Sequence, residues 1–336
     1  MVKMHSEKKD DKPIRWGILG PGKIAGKFAA GLAAAEGAEL VAVASRSPER
    51  GAAFAAEWGA PVVHSRYEDL AADRRLDAVY VATPHAFHEE HATLCLRGGK
   101  HVLCEKSFAL SAAQARRMAA AARENRVLLM EGMWTRFLPA IVRVHEVIAA
   151  GTIGDPRLLL TDFGFRATYD PRSRLFDPAL GGGTLLDLGV YPVAMAFNLF
   201  GPPLTFETTA TLAPTGVDEE VAVIMHHAAG RSAVFATSFT VDTPKDARIL
   251  GAEGWIRIHA PWWAATTITV GKGNEDGETT THPHRGQGFA HEAEHFMDLI
   301  RRGERESPVM PLDESVAVMA TLDAIRARWG MRYPGE

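Results

Sequence analysis

The chain has 336 residues, 46% of them apolar, with 37 Lys and Arg against 41 Asp and Glu for a formal charge of −4, and two cysteines. That length exceeds what one core usually serves, so two domains are expected. The missing basic excess argues against a nucleic-acid partner, no apolar run is expected to span a membrane, and two cysteines are too few for a disulfide scaffold.

Met1 to Lys12 is polar and charged, without the apolar segment of a secretion signal, so a cytoplasmic location is expected. Ile14 to Leu19 then forms an apolar run that ends in Gly20-Pro21-Gly22-Lys23-Ile24-Ala25, which predicts a buried strand entering a glycine turn. The turn has the G-x-G-x-x-A form. Its first glycine permits the tight turn, its second lets backbone approach a pyrophosphate, and Ala25 permits close helix–strand packing. An alanine-rich helix over 27–35, with Phe28 and Leu32 four apart, turns its free N–H groups toward the phosphates. A second strand, Glu39 to Ser45, follows.

That strand ends in Ser45-Arg46-Ser47-Pro48-Glu49-Arg50, without the carboxylate that holds the ribose hydroxyls in an NAD site. Ser45 offers a hydroxyl and Arg46 a planar cation, both suited to a 2′-phosphate. NADP(H) is therefore the expected cofactor, with NAD possible, and Arg50 joins the cofactor residues. The competing reading has Arg46 stacked on the adenine and indifferent to the phosphate.

Strands are predicted at Pro61–His64, Asp77–Ala82, His101–Cys104 and Val127–Met130, and helices at Ser65–Leu70, Phe87–Arg97 and Ser111–Asn125. This alternation argues for a doubly wound parallel sheet, an α/β Rossmann domain over residues 13–134. Ligands of such a sheet lie off the carboxyl ends of its strands, where Gly20-Pro21-Gly22, Ala44-Ser45-Arg46, Thr83-Pro84-His85 and Glu105-Lys106-Ser107 would meet. Residues 135–336 read differently. A helix over 139–150 precedes strands at 157–165, 206–212, 221–226, 232–240, 248–251, 255–259 and 266–270, with a long helix from about Gly183 to Phe200 and a last one over 313–329. That pattern predicts an α+β domain with a mostly antiparallel open sheet, for substrate binding and oligomerisation. Strands apolar on both faces, such as Ala233-Val234-Phe235, predict a homodimer or dimer of dimers.

Five stretches together resemble the Gfo/Idh/MocA oxidoreductases, in the branch with dihydrodiol and NADP-dependent xylose dehydrogenases: the glycine turn, Thr83-Pro-His-Ala-Phe-His88, Glu105-Lys106, Glu131-Gly-Met-Trp-Thr-Arg136 and Gly181-Gly-Gly-Thr-Leu-Leu-Asp-Leu-Gly-Val-Tyr-Pro192. The matches cover nearly the whole chain from Ile14. Two departures stand out: Ser107 replaces the usual proline after Glu-Lys, and Tyr191 stands where many members carry histidine. The resemblance implies hydride transfer between nicotinamide and a carbinol or carbonyl carbon of a sugar, cyclic polyol or trans-diol. It also places His88 near the nicotinamide, and Trp134 with Arg136 on the far wall of the cofactor groove.

Such chemistry must move the hydroxyl proton as well as the hydride, and Tyr191 is the expected base. The Lys106 ammonium would lower the phenol's pKa and polarise the reacting oxygen. Asp187, four residues before Tyr191 and hence on the same helical face, would accept from a substrate hydroxyl. Two other function classes compete. His291-Glu292-Ala293-Glu294-His295 has the H-E-x-x-H form of a zinc metallopeptidase, and a catalytically inactive dinucleotide-binding sensor would keep the fold without turnover. His85, His88 and His91, three apart, would suit helix-terminal histidines better than a metal site, and none is expected.

Overall fold

The structure, a computed structural model, describes residues 12–336 apart from 275 and 335, so the stretch behind the secretion expectation lies outside the described residues except for Lys12. Short, mostly apolar strands, the central ones buried on both faces, form its first layer. These are β1 (Ile14–Leu19), β2 (Ala38–Ala44), β3 (Val62–His64), β4 (Ala78–Val81), β5 (His101–Glu105) and β6 (Leu129–Gly132). They pair in the order β3-β2-β1-β4-β5-β6, every pair parallel. The winding reverses at β1, opening a crevice between the carboxyl ends of β1 and β4. The crossovers are α1 (Lys23–Ala34), α2 (Pro48–Trp58), α3 (Tyr67–Ala72), α4 (His88–Arg97) and α5 (Ala112–Asn125). This is the expected Rossmann layer.

The second layer follows α6 (Pro139–Ala149). Its strands are β7 (Pro156–Gly164), β8 (Thr205–Leu212), β9 (Asp218–His226), β10 (Ser232–Ser238), β11 (Ala247–Gly251), β12 (Trp255–Ile258), β13 (Thr267–Gly271) and β14 (Glu278–Thr281). They run in the order β14-β13-β12-β11-β7-β10-β9-β8. Only the β7–β10 pair among them is parallel. Alternation separates the two faces: Val221, Val223, Met225, Ala233 and Phe235 are buried, whereas Ala222, Ile224 and Ala236 are exposed. Edge strand β14, Glu-Thr-Thr-Thr, has no apolar alternation, which is why the sequence pattern does not reveal it.

The helix expected from Gly183 begins otherwise. A π-helical turn, Leu185–Gly189, leads into α7 (Val190–Phe200). Gly183 has φ of 114°, and a Cβ there would lie 2.4 Å from Asp218 Oδ1, so only glycine fits. The Asp218 carboxylate receives Leu185 N at 2.6 Å and Thr184 Oγ1 at 3.0 Å, satisfying donors at the helix start. The stretch Pro178–Phe200 is long and apolar enough to cross a membrane, which corrects the expectation that no run reaches that length. Its most apolar window is 89% buried, so the apolarity serves the core.

The last helices, α8 (Phe289–Arg301) and α9 (Leu312–Ala327), return to the first layer. Phe296 of α8 packs on Trp16 of β1 with ring centroids 5.3 Å apart, and a Cβ at Gly31 would lie 2.6 Å from that of Phe289, so α1 and α8 are in backbone contact there. On α9, Asp323 accepts from Ala112 N at the start of α5 at 2.8 Å.

Candidate active site

The carboxyl ends of β1, β2, β4 and β5 border a cleft of about 930 Å³. At its floor Gly20 has φ of 92°, and a Cβ there would meet the Thr83 side chain at 2.8 Å. Gly22, which starts α1, has nothing within 4 Å of where its Cβ would be, and the helix carries no side-chain cap. Its first N–H groups are thus left for an anionic ligand, with Lys23 and Ile24 beside them. These features fit a dinucleotide's pyrophosphate.

Ser45, Arg46 and Arg50 border the same cleft. Ser45 Oγ accepts from Ser47 N at 3.2 Å, which leaves its O–H to donate. Arg50 donates to Pro21 O at 2.9 Å, tying the second loop to the glycine turn, and the Arg46 guanidinium lies 5.8 Å from the Phe87 ring centroid. Thr83 and Pro84 form the next wall. Ser47, Lys27, Tyr67, Leu180 and Arg174 also border the cleft, though the sequence reading does not select them. Ser47 had a local signal, since it caps α2 before Pro48.

At the far end Lys106 leaves the tip of β5 across a cis Lys106–Ser107 peptide, and Ser107 donates to Leu186 O. The Lys106 ammonium donates to Asp187 O at 2.7 Å and Oδ1 at 3.1 Å, and lies 4.9 Å from the Tyr191 ring centroid. Burial alone would push Lys106 down, but Asp187, Tyr191 and Glu105 together hold it above its ordinary value. For Asp187 burial favours the neutral acid, yet Lys106, Arg174 and His85 hold the carboxyl well below the usual range. Glu105 accepts from Tyr80 OH and from Lys106 N, and burial pushes it up to about 7.

Tyr191 departs from expectation. Burial pushes its phenol up to about 12, outweighing the pull of Lys106, so it is a protonated donor at neutral pH. It does not border the cleft itself and meets it through Lys106. Trp134 Nε1 donates to Tyr191 OH at 3.0 Å, and the Trp134 ring stacks on Phe289.

Three expected cofactor contacts sit elsewhere. Trp134 faces Tyr191 rather than the cofactor groove. Arg136 points away from it, donating to Ala194 O and Val309 O at 3.0 Å each and pairing with Glu314, because the 3₁₀ turn Trp134–Phe137 sends the two side chains apart. His88 is fully buried behind the cleft, its ring nitrogens 2.8 Å from Ser107 O and 2.7 Å from Thr83 O, where it braces the two loops. Burial pushes it down to about 4. His85 does border the cleft, near Gly181 O at 3.2 Å.

The family model for Gfo/Idh/MocA oxidoreductases, NAD-binding Rossmann fold, matches residues 14–133, and that for the Gfo/Idh/MocA C-terminal domain matches residues 141–257. The mouse trans-1,2-dihydrobenzene-1,2-diol dehydrogenase is 36% identical over 337 residues, covering 96% of this chain and 99% of its own. A 3-ketoreductase from Actinomadura kijaniata, solved with NADP and TDP-benzene, superposes with a TM-score of 0.85 at 27% identity, covering 94% of this chain and 98% of its own. Levoglucosan dehydrogenase, solved with NADH, shares the fold with a TM-score of 0.85 at 21% identity, covering 94% of this chain and 96% of its own.

The His-Glu-x-x-His motif on α8 does not assemble. His295 Nε2 meets Ser307 Oγ at 2.8 Å, His291 Nε2 accepts from Arg285 N at 3.2 Å, and Glu292 is fully buried with neither carboxyl oxygen hydrogen-bonded. Burial, then Glu105, raises Glu292 well above the ordinary carboxyl value. A carboxyl raised on folding contributes fully below its unfolded pKa, about 4.3, and that contribution is lost as pH rises through the folded value. Glu292→Gln should therefore stabilise the protein progressively more above pH 4.3. Urea denaturation at pH 5 and pH 8 checks this, and an equal change at both values refutes it.

Proposed function

This chain belongs to the Gfo/Idh/MocA oxidoreductase family, and from that premise we propose that it transfers hydride between NADP(H) and a carbinol or carbonyl carbon of a sugar, cyclic polyol or trans-diol. The observation that carries this reading is the cluster of Lys106, Asp187 and Tyr191 at the end of a cleft whose other end has the features of a phosphate site. When bound, the nicotinamide supplies or accepts the hydride. Gly20, Gly22 and the start of α1 would hold its pyrophosphate, and Ser45, Arg46 and Arg50 its 2′-phosphate.

The residues' work is to manage the proton. In reduction, the Lys106 ammonium polarises the carbonyl oxygen and gives it a proton as the hydride arrives, the neutral Tyr191 phenol passes its own proton to the resulting amine, and the phenolate takes one back from solvent before the next turnover. Asp187 holds Lys106 in place and accepts from a neighbouring substrate hydroxyl. In oxidation, the Lys106–Tyr191 pair must first release a proton before it can take one from the substrate.

The relatives support the substrate class: one is a trans-1,2-dihydrobenzene-1,2-diol dehydrogenase and another a 3-ketoreductase solved with NADP and TDP-benzene. The buried free thiols of Cys95 and Cys104 suit a reducing cytoplasm. A division near residue 134 fits the change from parallel to mixed sheet. A homodimer, or dimer of dimers, would cover the outer face of the second sheet, where Leu160, Ala222, Ile224, Val234 and Ala236 line an open concavity of about 800 Å³.

Lys106→Ala and Tyr191→Phe should each lower turnover by about two orders of magnitude or more while NADP(H) still binds. Oxidation should speed up as pH rises above neutrality and reduction should slow. Steady-state rates with a polyol and diol panel for oxidation, and with the matching carbonyl compounds for reduction, check both, and near-normal turnover by Tyr191→Phe reassigns the proton donor. Arg46→Ala should weaken NADP(H) by roughly ten- to a hundredfold, the value of a charge-assisted phosphate contact, and NAD(H) far less. Ser45→Asp should reverse the preference. Dissociation constants for both cofactors decide it, since equal losses would mean that Arg46 does not read the phosphate. Sedimentation velocity should show a dimer at micromolar concentration that Ile224→Lys splits, and a monomeric wild type refutes the proposed assembly.

A further inference from the structure

The Asp187 carboxylate is shared between two cations. Lys106 Nζ lies 3.1 Å from Oδ1, and Arg174 Nη1 lies 3.1 Å from Oδ2. They arrive from opposite sides. Lys106 stands at the tip of β5 in the first sheet, while Arg174 belongs to the irregular segment 165–177 after β7 in the second. Their surroundings differ as much. The Lys106 side chain is 12% exposed, whereas that of Arg174 is 56% exposed and borders the cleft. Arg174 makes no other ion pair among the described residues.

A buried ammonium and carboxylate left to themselves form a closed pair of no net charge, and such a lysine exerts little field on anything else. A second cation on the carboxylate's other oxygen changes this. Two cations on one carboxylate leave a positive charge in excess, and charge that develops on a reacting oxygen is stabilised by it. Among the other groups facing the cluster, His85 is held neutral by burial, down to about 3, and Tyr191 and Tyr333 are neutral phenols. Glu105 also couples to Lys106 and Asp187; burial draws it toward the neutral acid, the form in which it leaves the excess in place.

We propose that Arg174 is a positioning residue for the hydride-transfer reaction: it draws Asp187 toward the mouth of the cleft and frees the charge of Lys106 to act on the reacting oxygen. This rests on the reading that Lys106 works at that oxygen. It sets Arg174 apart from Arg46 and Arg50, which serve the cofactor at the other end.

The test compares wild type, Arg174→Gln and Arg174→Lys by three readouts: reduction kinetics with NADPH, the dissociation constant of NADPH, and the titration of Lys106 Nζ followed by NMR of ¹⁵N-lysine-labelled protein, assigned with Lys106→Arg. Arg174→Gln should lower kcat roughly ten- to a hundredfold, less than the loss of an oxyanion-hole donor. NADPH affinity should stay within about twofold, since the residue sits away from the phosphate site. Loss of the neighbouring cation should raise the Lys106 titration and move the alkaline limb of the reduction profile upward with it. Arg174→Lys should restore most of both. An unshifted Lys106 titration in Arg174→Gln overturns the proposal, as does a Lys variant no better than Gln. A wild type that titrates as expected but turns over no substrate with NADPH would instead sink the functional reading, and the NMR readout keeps the two failures apart.

Discussion

The two sheets meet at a buried ion pair. Lys106 directly follows a strand of the first and Asp187 precedes a helix packed on the second; without Asp187 the ammonium loses its counter-charge, whereas Asp187 without Lys106 would keep Arg174. Removing the carboxylate of such a buried pair typically costs about 3–5 kcal/mol, because the cation stays buried without its partner. The contact therefore ties the tip of the first sheet to the turn that leads into α7. Much of the surrounding backbone serves it: Gly183 and Asp218 set the π turn that brings Asp187 to Lys106, and Ser107 ties the β5 tip to the same turn through Leu186 O.

The Rossmann layer was legible because its signals are local. Apolar runs of four to seven residues, glycine turns and alanine-rich helices each have a spacing that one backbone geometry satisfies, and the order of strands follows from right-handed crossovers. The glycine turn was legible down to single residues for the same reason, since Gly20 needs its positive φ and Gly22 its open side. The second sheet was legible as strands but not in its pairing. The parallel β7–β10 contact joins residues some seventy positions apart, and no periodicity within either strand records it.

Side-chain direction was the least legible property. Trp134 and Arg136 are two residues apart, and a resemblance places both on one wall, yet a 3₁₀ turn sends one to Tyr191 and the other to α7, Val309 and Glu314. His88 lies beside the cleft in sequence, but α4 starts at that residue and turns the ring inward onto two carbonyls. Arg174 shows the converse. Nothing in Asp-Pro-Arg-Ser-Arg-Leu-Phe separates Arg174 from Arg172, yet Arg174 reaches buried Asp187 while the side chain of Arg172 is 93% exposed. Only the tertiary course of the segment distinguishes them.

Burial also decides what the charges at this site do. Tyr191 was expected to lose proton affinity to Lys106, but the field of one ammonium, itself engaged by Asp187, is smaller than the cost of placing a phenolate among Trp134, Phe163 and Trp262. The same cost raises Glu105 to about 7, against the pull of Tyr80 and Lys106. The carboxyl beside Lys106 is thus drawn toward its neutral form, whereas Asp187 stays fully charged because two cations hold it. One anion next to the ammonium is fixed and the other titrates in the working range. The positive charge of Lys106 in the cleft is therefore less opposed once Glu105 takes up a proton.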